Sequence, residues 1–567
     1  FCTLLGALVY MRRVSTLRAR HVTAYVTDIE GSTVYWDKYL ARSKVLRRNP
    51  ETRSIEFAPY VAPGDVEEAN THFVYGGDAL DKGGDDLEFV ADLNQLKRDF
   101  PDRVTLLIGN RDVNKMRMRV WGSPEFADHY LKQTPASQVA LPYFMQGVPH
   151  AVSFDSFLQQ RALCSTSHTK ASPLLYTMWR LEHTMGCRGL FESRRQQLLR
   201  SKKQPLRTAH VSDEEVLESF FASVRPGGAI HEYLSHAQVS AIIHNTLFIH
   251  GGVTSENAGY VPSLQLRDEL ATGTDDASSV WTNVLQRGGS VQDWSDALNR
   301  FWRDCFLEWD TAAKLIDTST GRFAGASATA YAHMKATHGR TVVVQTFTDA
   351  VSKKGPRFLD LGIVEHCNVS GIFRMVAGHK PVGDVPLTTQ QPGMSVHVMD
   401  NSYCSPHTPD GRGQAVQELL IDDTEGTALA HGLRADGTPF EFALDDPLVG
   451  VPMGDGWWSR GVVHPLSVPS SDDSTATATA PSFVLAHRTT DDFFTNSYQM
   501  VPHTTAEHFV AENPLKNAAD GEFYERYTRS ELKPMKRKVL RPFVPAESPA
   551  PYLDDKHKED QAHRNLQ

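Results

Sequence analysis

Residues 71–90, THFVYGGDALDKGGDDLEFV, set Asp78 and Asp81 directly behind Gly76-Gly77, with Lys82 and two further glycines ahead of Asp85-Asp86. Hard carboxylate oxygens are what a divalent cation needs, and the glycines leave room for a metal and a substrate. Alone, an acidic glycine-rich turn is as often a solvated loop, so the other candidates decide. Asp28 and Glu30 stand before Gly31, while Asn110, Arg111 and Asp112 follow Gly109. His250 precedes Gly251-Gly252, and His379 follows Gly378. Carboxylate, amide and imidazole together make a ligand set for borderline first-row ions. Each also has an ordinary reading: a strand-terminal Asp caps a turn, and a lone His is a hydrogen-bonded core residue.

Short apolar runs must position these groups. The run 21–27 (HVTAYVT) ends at Asp28, 72–75 at the Asp78 turn, and 104–108 (VTLLI) at Asn110. Likewise 246–249 (TLFI) ends at His250, 372–376 (IFRMV) at His379, and 395–399 (SVHVM) at Asp400. β-branched and aromatic composition makes all of them strands. Between the second and third, 87–100 carries Leu87, Val90, Leu93 and Leu96 at helical spacing. Strand, helix, strand implies a sheet with helices packed on it. In open α/β sheets, sites form beyond the carboxyl ends of the strands, so side chains hundreds of residues apart can converge. Residues 34–48 read as a helix. So do 153–163, 172–203 and 212–242, the last with a capping start at Ser212. The aromatics of 291–315 at helical spacing predict a core helix, and 416–421 and 440–443 predict antiparallel strands.

Taken in order, Asp28-Ile29-Glu30, Gly77-Asp78-Ala79-Leu80-Asp81-Lys82-Gly83, Gly109-Asn110-Arg111-Asp112, His250-Gly251-Gly252 and Gly378-His379 resemble the motifs of calcineurin-like metallophosphoesterases. The resemblance spans about residues 22–400. It implies an α/β (α+β) fold, a β-sandwich flanked by helices, that holds two divalent metal ions (Mn, Fe, Zn or Mg). On this resemblance Asp78 bridges both ions and Asp28 completes one of them. Asn110, His250 and His379 hold the other, Glu30 is a further ligand, and Asp81, Arg111 and Asp112 serve catalysis or orient ligands. The implied reaction is hydrolysis of a phosphomonoester by a hydroxide shared between the two ions. Three positions depart from the family pattern. Glu30 stands where a His is usual, which favours harder ions. Arg111 stands where a proton-donating His is usual, and an arginine stays charged at any working pH. Lys380-Pro381 replaces a second His after His379, leaving Asp384 or Asp400 as substitute ligands.

The chain has 567 residues, 40% hydrophobic and 22% charged, with a net charge of −10. This composition predicts a large core and more than one folded region. The expected organisation is a basic tail at 1–20 and a phosphoesterase domain at 21–400 with a helical insertion at 113–241. A β-rich extension at 401–510 contains a low-complexity loop at 467–481, and a polar, basic tail fills 511–567. The mild acidity argues against nucleic acid as a partner, with only the basic stretch 533–541 on the other side. No apolar run is long enough to span a membrane. Six scattered cysteines with no CxxC spacing fit a reducing compartment. A cytoplasmic address is therefore expected, with an organelle presequence at the Arg-rich start as the alternative. The expected partner is a phosphorylated substrate, either a small molecule or a phosphoprotein. Arg188, Arg194 and Arg195 are candidate phosphate contacts, their ordinary reading being a solvated helix face. The competing functional reading is a catalytically weak relative that binds phosphorylated partners or scaffolds other proteins.

Overall fold

The computed structural model describes residues 20–502 except 63–64, 143–144, 146–147, 165–170, 186, 203–209, 267–279, 318–321, 349–356, 402–414, 451, 455–456, 464–481 and 489–495. The first nineteen residues, the low-complexity loop and the tail with its basic stretch lie outside the described residues.

Strand β1 (His21–Val26) leads to helix α1 (Thr33–Leu40), whose cap Ser32 accepts a hydrogen bond from the Tyr35 N–H. The helix expected over 34–48 stops at Leu40. Ser43 Oγ takes the N–H groups of Val45 and Leu46 and donates to Glu418, which turns the chain out of the helix. A hairpin of β2 (Leu46–Arg48) and β3 (Ile55–Phe57) follows instead. Next, β4 (Asn70–Tyr75) lies parallel to β1, α2 (Asp86–Asp99) crosses over, and β5 (Val104–Leu106) lies parallel to β4.

Helices α3 (Asn110–Asn114), α4 (Arg117–Trp121), α5 (Phe154–Cys164), α6 (Pro173–His183), α7 (Leu190–Ser201), α8 (Asp213–Val224) and α9 (Ala229–His236) come next. The stretch 172–203 is thus two helices. Gly189, at φ +84°, takes a left-handed conformation between them that a side chain would strain.

The chain then forms a second sheet. A hairpin of β6 (Ser240–Ile243) and β7 (Thr246–Ile249) opens it. After the small pair β8 (Tyr260–Pro262) and β9 (Trp281–Asn283), α10 (Val291–Thr311) buries Trp294, Leu298, Phe301, Trp302 and Trp309. Then β10 (Arg374–Ala377) lies parallel to β7, with β11 (Leu387–Gln391) and β12 (Met394–Val398) completing the order β11-β12-β10-β7-β6. The strands after residue 415 return to the first sheet. They are β13 (Val416–Asp422), β14 (Thr427–Leu433), β15 (Pro439–Ala443), β16 (Pro452–Gly454), β17 (Trp457–Val463), β18 (Ser482–Arg488) and β19 (Asn496–Pro502). β13 pairs antiparallel with β1, giving the order β19-β18-β17-β15-β14-β13-β1-β4-β5, with β16 on β17.

Side-chain alternation assigns the faces. Tyr25 and Val74, opposite each other in register, point the same way as Leu419 and Ile421 and pack with Phe248 and Val376 of the second sheet. The Tyr25 and Phe248 rings stack at 5.8 Å, so the two sheets face each other. Their alternates, Ala24, Val26, Phe73 and Tyr75, turn to the other side and pack with Trp36 and Phe89 of α1 and α2. The fold is mixed α/β, two large sheets with their covering helices and two small two-stranded pairs. Among the described residues no helix is long and apolar enough to cross a membrane.

Candidate metal centre

Parallel neighbours end side by side at β1, β4 and β5 of one sheet and at β7 and β10 of the other, and the loops after these five ends are laced together. The Asp28 N–H donates to the Gly77 carbonyl and the Glu30 N–H to that of Asp78, each at 3.0 Å. Across the two sheets, His250 Nδ1 bonds the Gly76 carbonyl at 2.9 Å, and the His379 N–H donates to Asp28 Oδ2 at 3.0 Å. Nine described residues other than glycine have positive φ, and five of them are Asp28, Glu30, Asp78, Asp81 and His379. Backbone strain of this kind costs about 1–3 kcal/mol per residue, and such strain concentrates at active sites and ligand clamps.

One ligand atom each from Asp78, His250 and His379 lies within 4.8 Å of the other two. His250 is fully buried, and with Nδ1 on Gly76 its Nε2 faces Asp78 Oδ1 at 3.4 Å. Burial alone would lower the His250 pKa, but the carboxylates of Asp78 and Asp28 outweigh it and raise it to about 10. Asp78 is the converse case. Burial opposes its ionisation, yet His250 and Arg111 hold it below the usual carboxylate range. Asp28 is raised well above that range by burial and by Asp400 nearby. Of the two substitute ligands considered from the sequence, Asp400 is therefore near enough to Asp28 to act on its charge, though it is not one of the three converging ligands. Asp384 is engaged elsewhere: its Oδ2 accepts the Ala435 N–H and its own N–H is held by Tyr498.

Arg111 sits on three of the acidic groups. Its Nε is 3.0 Å from Glu30 Oε1 and 3.4 Å from Asp78 Oδ2, and Nη1 is 2.5 Å from Asp81 Oδ2. Lys115, almost wholly buried, adds a second cation 3.4 Å from Asp81 Oδ1. Burial would raise Asp81, but Lys115 and Arg111 bring it down to about 2. Burial pushes Glu30 up to about 7 against the pull of Arg111.

Asp112 takes no part at the ligand atoms. Oδ1 accepts from the Ala79 and Leu80 N–H groups, and Oδ2 from the Gly109 N–H, so Asp112 clamps the Asp78 loop to the Asn110 loop. Tyr233 closes the clamp from α9, with its hydroxyl on the Leu107 carbonyl at 2.7 Å.

Sequence reasoning missed Lys115, Tyr233 and Cys187, the last a buried thiol beside Asp81 and Lys115. Only Lys115 left a signal, four residues after Arg111, a spacing that puts two cations on one helical face. The three arginines considered as phosphate contacts lie elsewhere. Arg194 is fully buried on Asp86 at 2.7 Å, Arg195 bonds Glu192 and Asp213 on the surface, and Arg188 is exposed.

The donor set suits a divalent ion. Asp78, His250 and His379 supply a carboxylate and two imidazoles. Asn110 Oδ1, at the end of the same lacing, is buried without a hydrogen-bond partner. The ground between Glu30 and the outer oxygen of Asp78 holds the Arg111 guanidinium instead.

No protein-family model matches the chain, and no curated protein matches it. Among solved structures it is similar to the cold-active protein-tyrosine phosphatase of a psychrophile, Shewanella sp., at 13% identity and a TM-score of 0.36, covering 75% of this chain and 80% of that one. It is also similar to a protein serine/threonine phosphatase from Saccharomyces cerevisiae, at 10% identity and a TM-score of 0.26, covering 72% and 75%. Likenesses this distant carry no assignment of activity.

Proposed function

We propose that the chain is a metal-dependent phosphoesterase acting on phosphomonoesters, with Asp78, Asn110, His250 and His379 as the residues that hold metal. The observation that carries this reading is the convergence of Asp78, His250 and His379, from three strand ends in two sheets, to ligand atoms within 4.8 Å. A divalent ion bound there supplies Lewis-acid chemistry, neutralising phosphoryl charge and lowering the pKa of water.

The remaining work belongs to the side chains around it. Gly76 orients His250 through Nδ1, and Asp28 orients the His379 loop through its N–H. Arg111 keeps part of its surface open to solvent, at 19% exposure, and there offers a fixed positive charge to phosphoryl oxygens. It has no proton to give to a leaving group at working pH. The substrates that suit this centre therefore leave without protonation, as aryl phosphates do, whether on a small molecule or on a phosphoprotein. In this reading the helical segment 113–241 shapes the approach to the pocket.

One observation favours the second reading, a weak hydrolase that binds phosphorylated partners: Arg111 is committed to three carboxylates. Hydrolysis of p-nitrophenyl phosphate with Mn²⁺ separates the two. Turnover by the full chain that disappears in Asp78→Asn supports the enzyme. Metal binding without turnover across pH and metals would leave only the binder, and activity that survives Asp78→Asn would put the chemistry elsewhere.

A further inference from the structure

The resemblance to two-metal phosphoesterases asks the centre for a second ion, held by Asp28 and Glu30 and sharing Asp78 with the first. One oxygen of each is otherwise engaged, while Glu30 Oε2 is buried without a hydrogen-bond partner. Asp28 Oδ2 accepts from the Thr27 hydroxyl at 2.6 Å and from the His379 N–H at 3.0 Å. That acceptor fixes the very loop that brings His379 to the ligand triad. Glu30 Oε1 is 3.0 Å from Arg111 Nε, and the same nitrogen is 3.4 Å from Oδ2 of Asp78, the residue a second ion would share. The guanidinium is held further by Asp81, and its backbone N–H donates to Asp78 Oδ1 at 2.9 Å. A side chain gripped at both ends is not a loose occupant. Independently, the described residues contain one cluster of three or more His, Cys, Asp or Glu ligand atoms within 4.8 Å, and neither Asp28 nor Glu30 belongs to it.

We propose that this centre takes a single divalent ion, on Asp78, His250, His379 and Asn110, and that the Arg111 guanidinium permanently occupies the second cation's place. The proposal rests on the metal-centre reading above and changes its stoichiometry. Two ions in such sites stand about 3.5–4 Å apart and clamp the attacking and leaving oxygens together. A guanidinium in one of those positions keeps the charge and the hydrogen-bond donors but can neither lower the pKa of water nor exchange with solution. It also relieves the centre of dependence on a second ion's concentration. Metal dependence of any activity is then a simple saturation, without the sigmoid that sequential filling of two places produces.

The test is the stoichiometry of Mn²⁺ on the full-length, metal-stripped protein, read by calorimetric titration and by electron paramagnetic resonance. The wild type is expected to bind one equivalent and to give an uncoupled mononuclear spectrum. Arg111→Gln, which removes the charge at similar length, is expected to bind two, with the spectrum of an exchange-coupled pair. Arg111→Lys, which keeps the charge, is expected to stay at one. Two equivalents with a coupled spectrum in the wild type overturn the proposal without any variant being needed. One equivalent in both wild type and Arg111→Gln overturns the part given to Arg111. No binding at all overturns the metal centre together with the proposal. A chain that binds one ion and hydrolyses nothing leaves the stoichiometry standing and removes only the enzymatic reading.

Discussion

A carbon added to Gly109 would stand 2.0 Å from Asp78 Oδ1 and 2.3 Å from the Asp78 nitrogen. The Asp78 oxygen has nowhere to retreat, since the Arg111 N–H already holds it at 2.9 Å. Gly109→Ala should therefore push Asp78 off the triad while leaving the sheets intact. The expected result is roughly a 10–100-fold loss of Mn²⁺ affinity, the scale on which displaced supporting groups act, with an unchanged far-UV circular dichroism spectrum. At this scale the sequence was informative wherever a chemical group sat next to glycine at the end of an apolar run. Asp78, Asn110, His250 and His379 were picked out that way, because close backbone approach needs glycine and glycine is visible, and Asp28 stands only three residues before Gly31. Tyr233 and Cys187 were not, because they reach the centre from a helix and from the connection between α6 and α7, neither of which any motif marks. The grip of Arg111 on Glu30 was equally hidden, since eighty residues of chain lie between them and nothing in either segment announces the pairing.

Helices α2, α7 and α8 meet around one fully buried ion pair, Arg194 with Asp86. Arg194 on α7 donates to Asp86 Oδ2 on α2 at 2.7 Å and to Ser219 on α8 at 3.1 Å, with its guanidinium over the Phe220 ring at 4.2 Å. Both charges are sealed from water. Removing one partner leaves the other buried and uncompensated, a loss of about 3–5 kcal/mol. Arg194→Ala should show it as a lowered urea midpoint, and Asp86→Leu combined with Arg194→Met should recover most of the difference. Local pattern foresaw the helices but not their junction. The spacing of 172–203 suits one continuous helix, yet the chain leaves α6 after His183 and re-enters α7 at Leu190 through the left-handed Gly189. The end of α1 at Leu40 is a similar case, because the acceptor that turns the chain there is Glu418, from the far end of the fold.

Across the whole molecule the metal-free centre carries a pH signature. Glu30 moves from the usual 4.5 to about 7, and Asp112 from 3.8 to about 7, burial being the main cause in both. Between about pH 4 and pH 7 the folded chain holds protons on these carboxyls that the unfolded chain has released, so stability falls as the pH rises through that window. His250, raised from 6.5 to about 10, acts in the same direction: its contribution is full below 6.5 and is lost as the pH rises through about 10. Chelator-treated protein is expected to melt at a higher temperature near about pH 5.5 than near about pH 8. Adding Mn²⁺ at a hundredfold its dissociation constant should restore about 2.7 kcal/mol at the higher pH. Thermal melts at the two pH values, with and without metal, check both statements.

The pairing of β1 with β13 has a consequence for biosynthesis. Thr23 meets Asp423, four hundred residues later, across that pair. At about 5–20 residues per second a ribosome needs roughly 20–80 s to deliver the second strand after the first. Until then β1 offers a bare row of amides and carbonyls to any passing chain, and such edges invite intermolecular pairing. The nascent protein thus carries, for the whole interval between the two strands, an adhesive flank beside the very loop that holds Asp28.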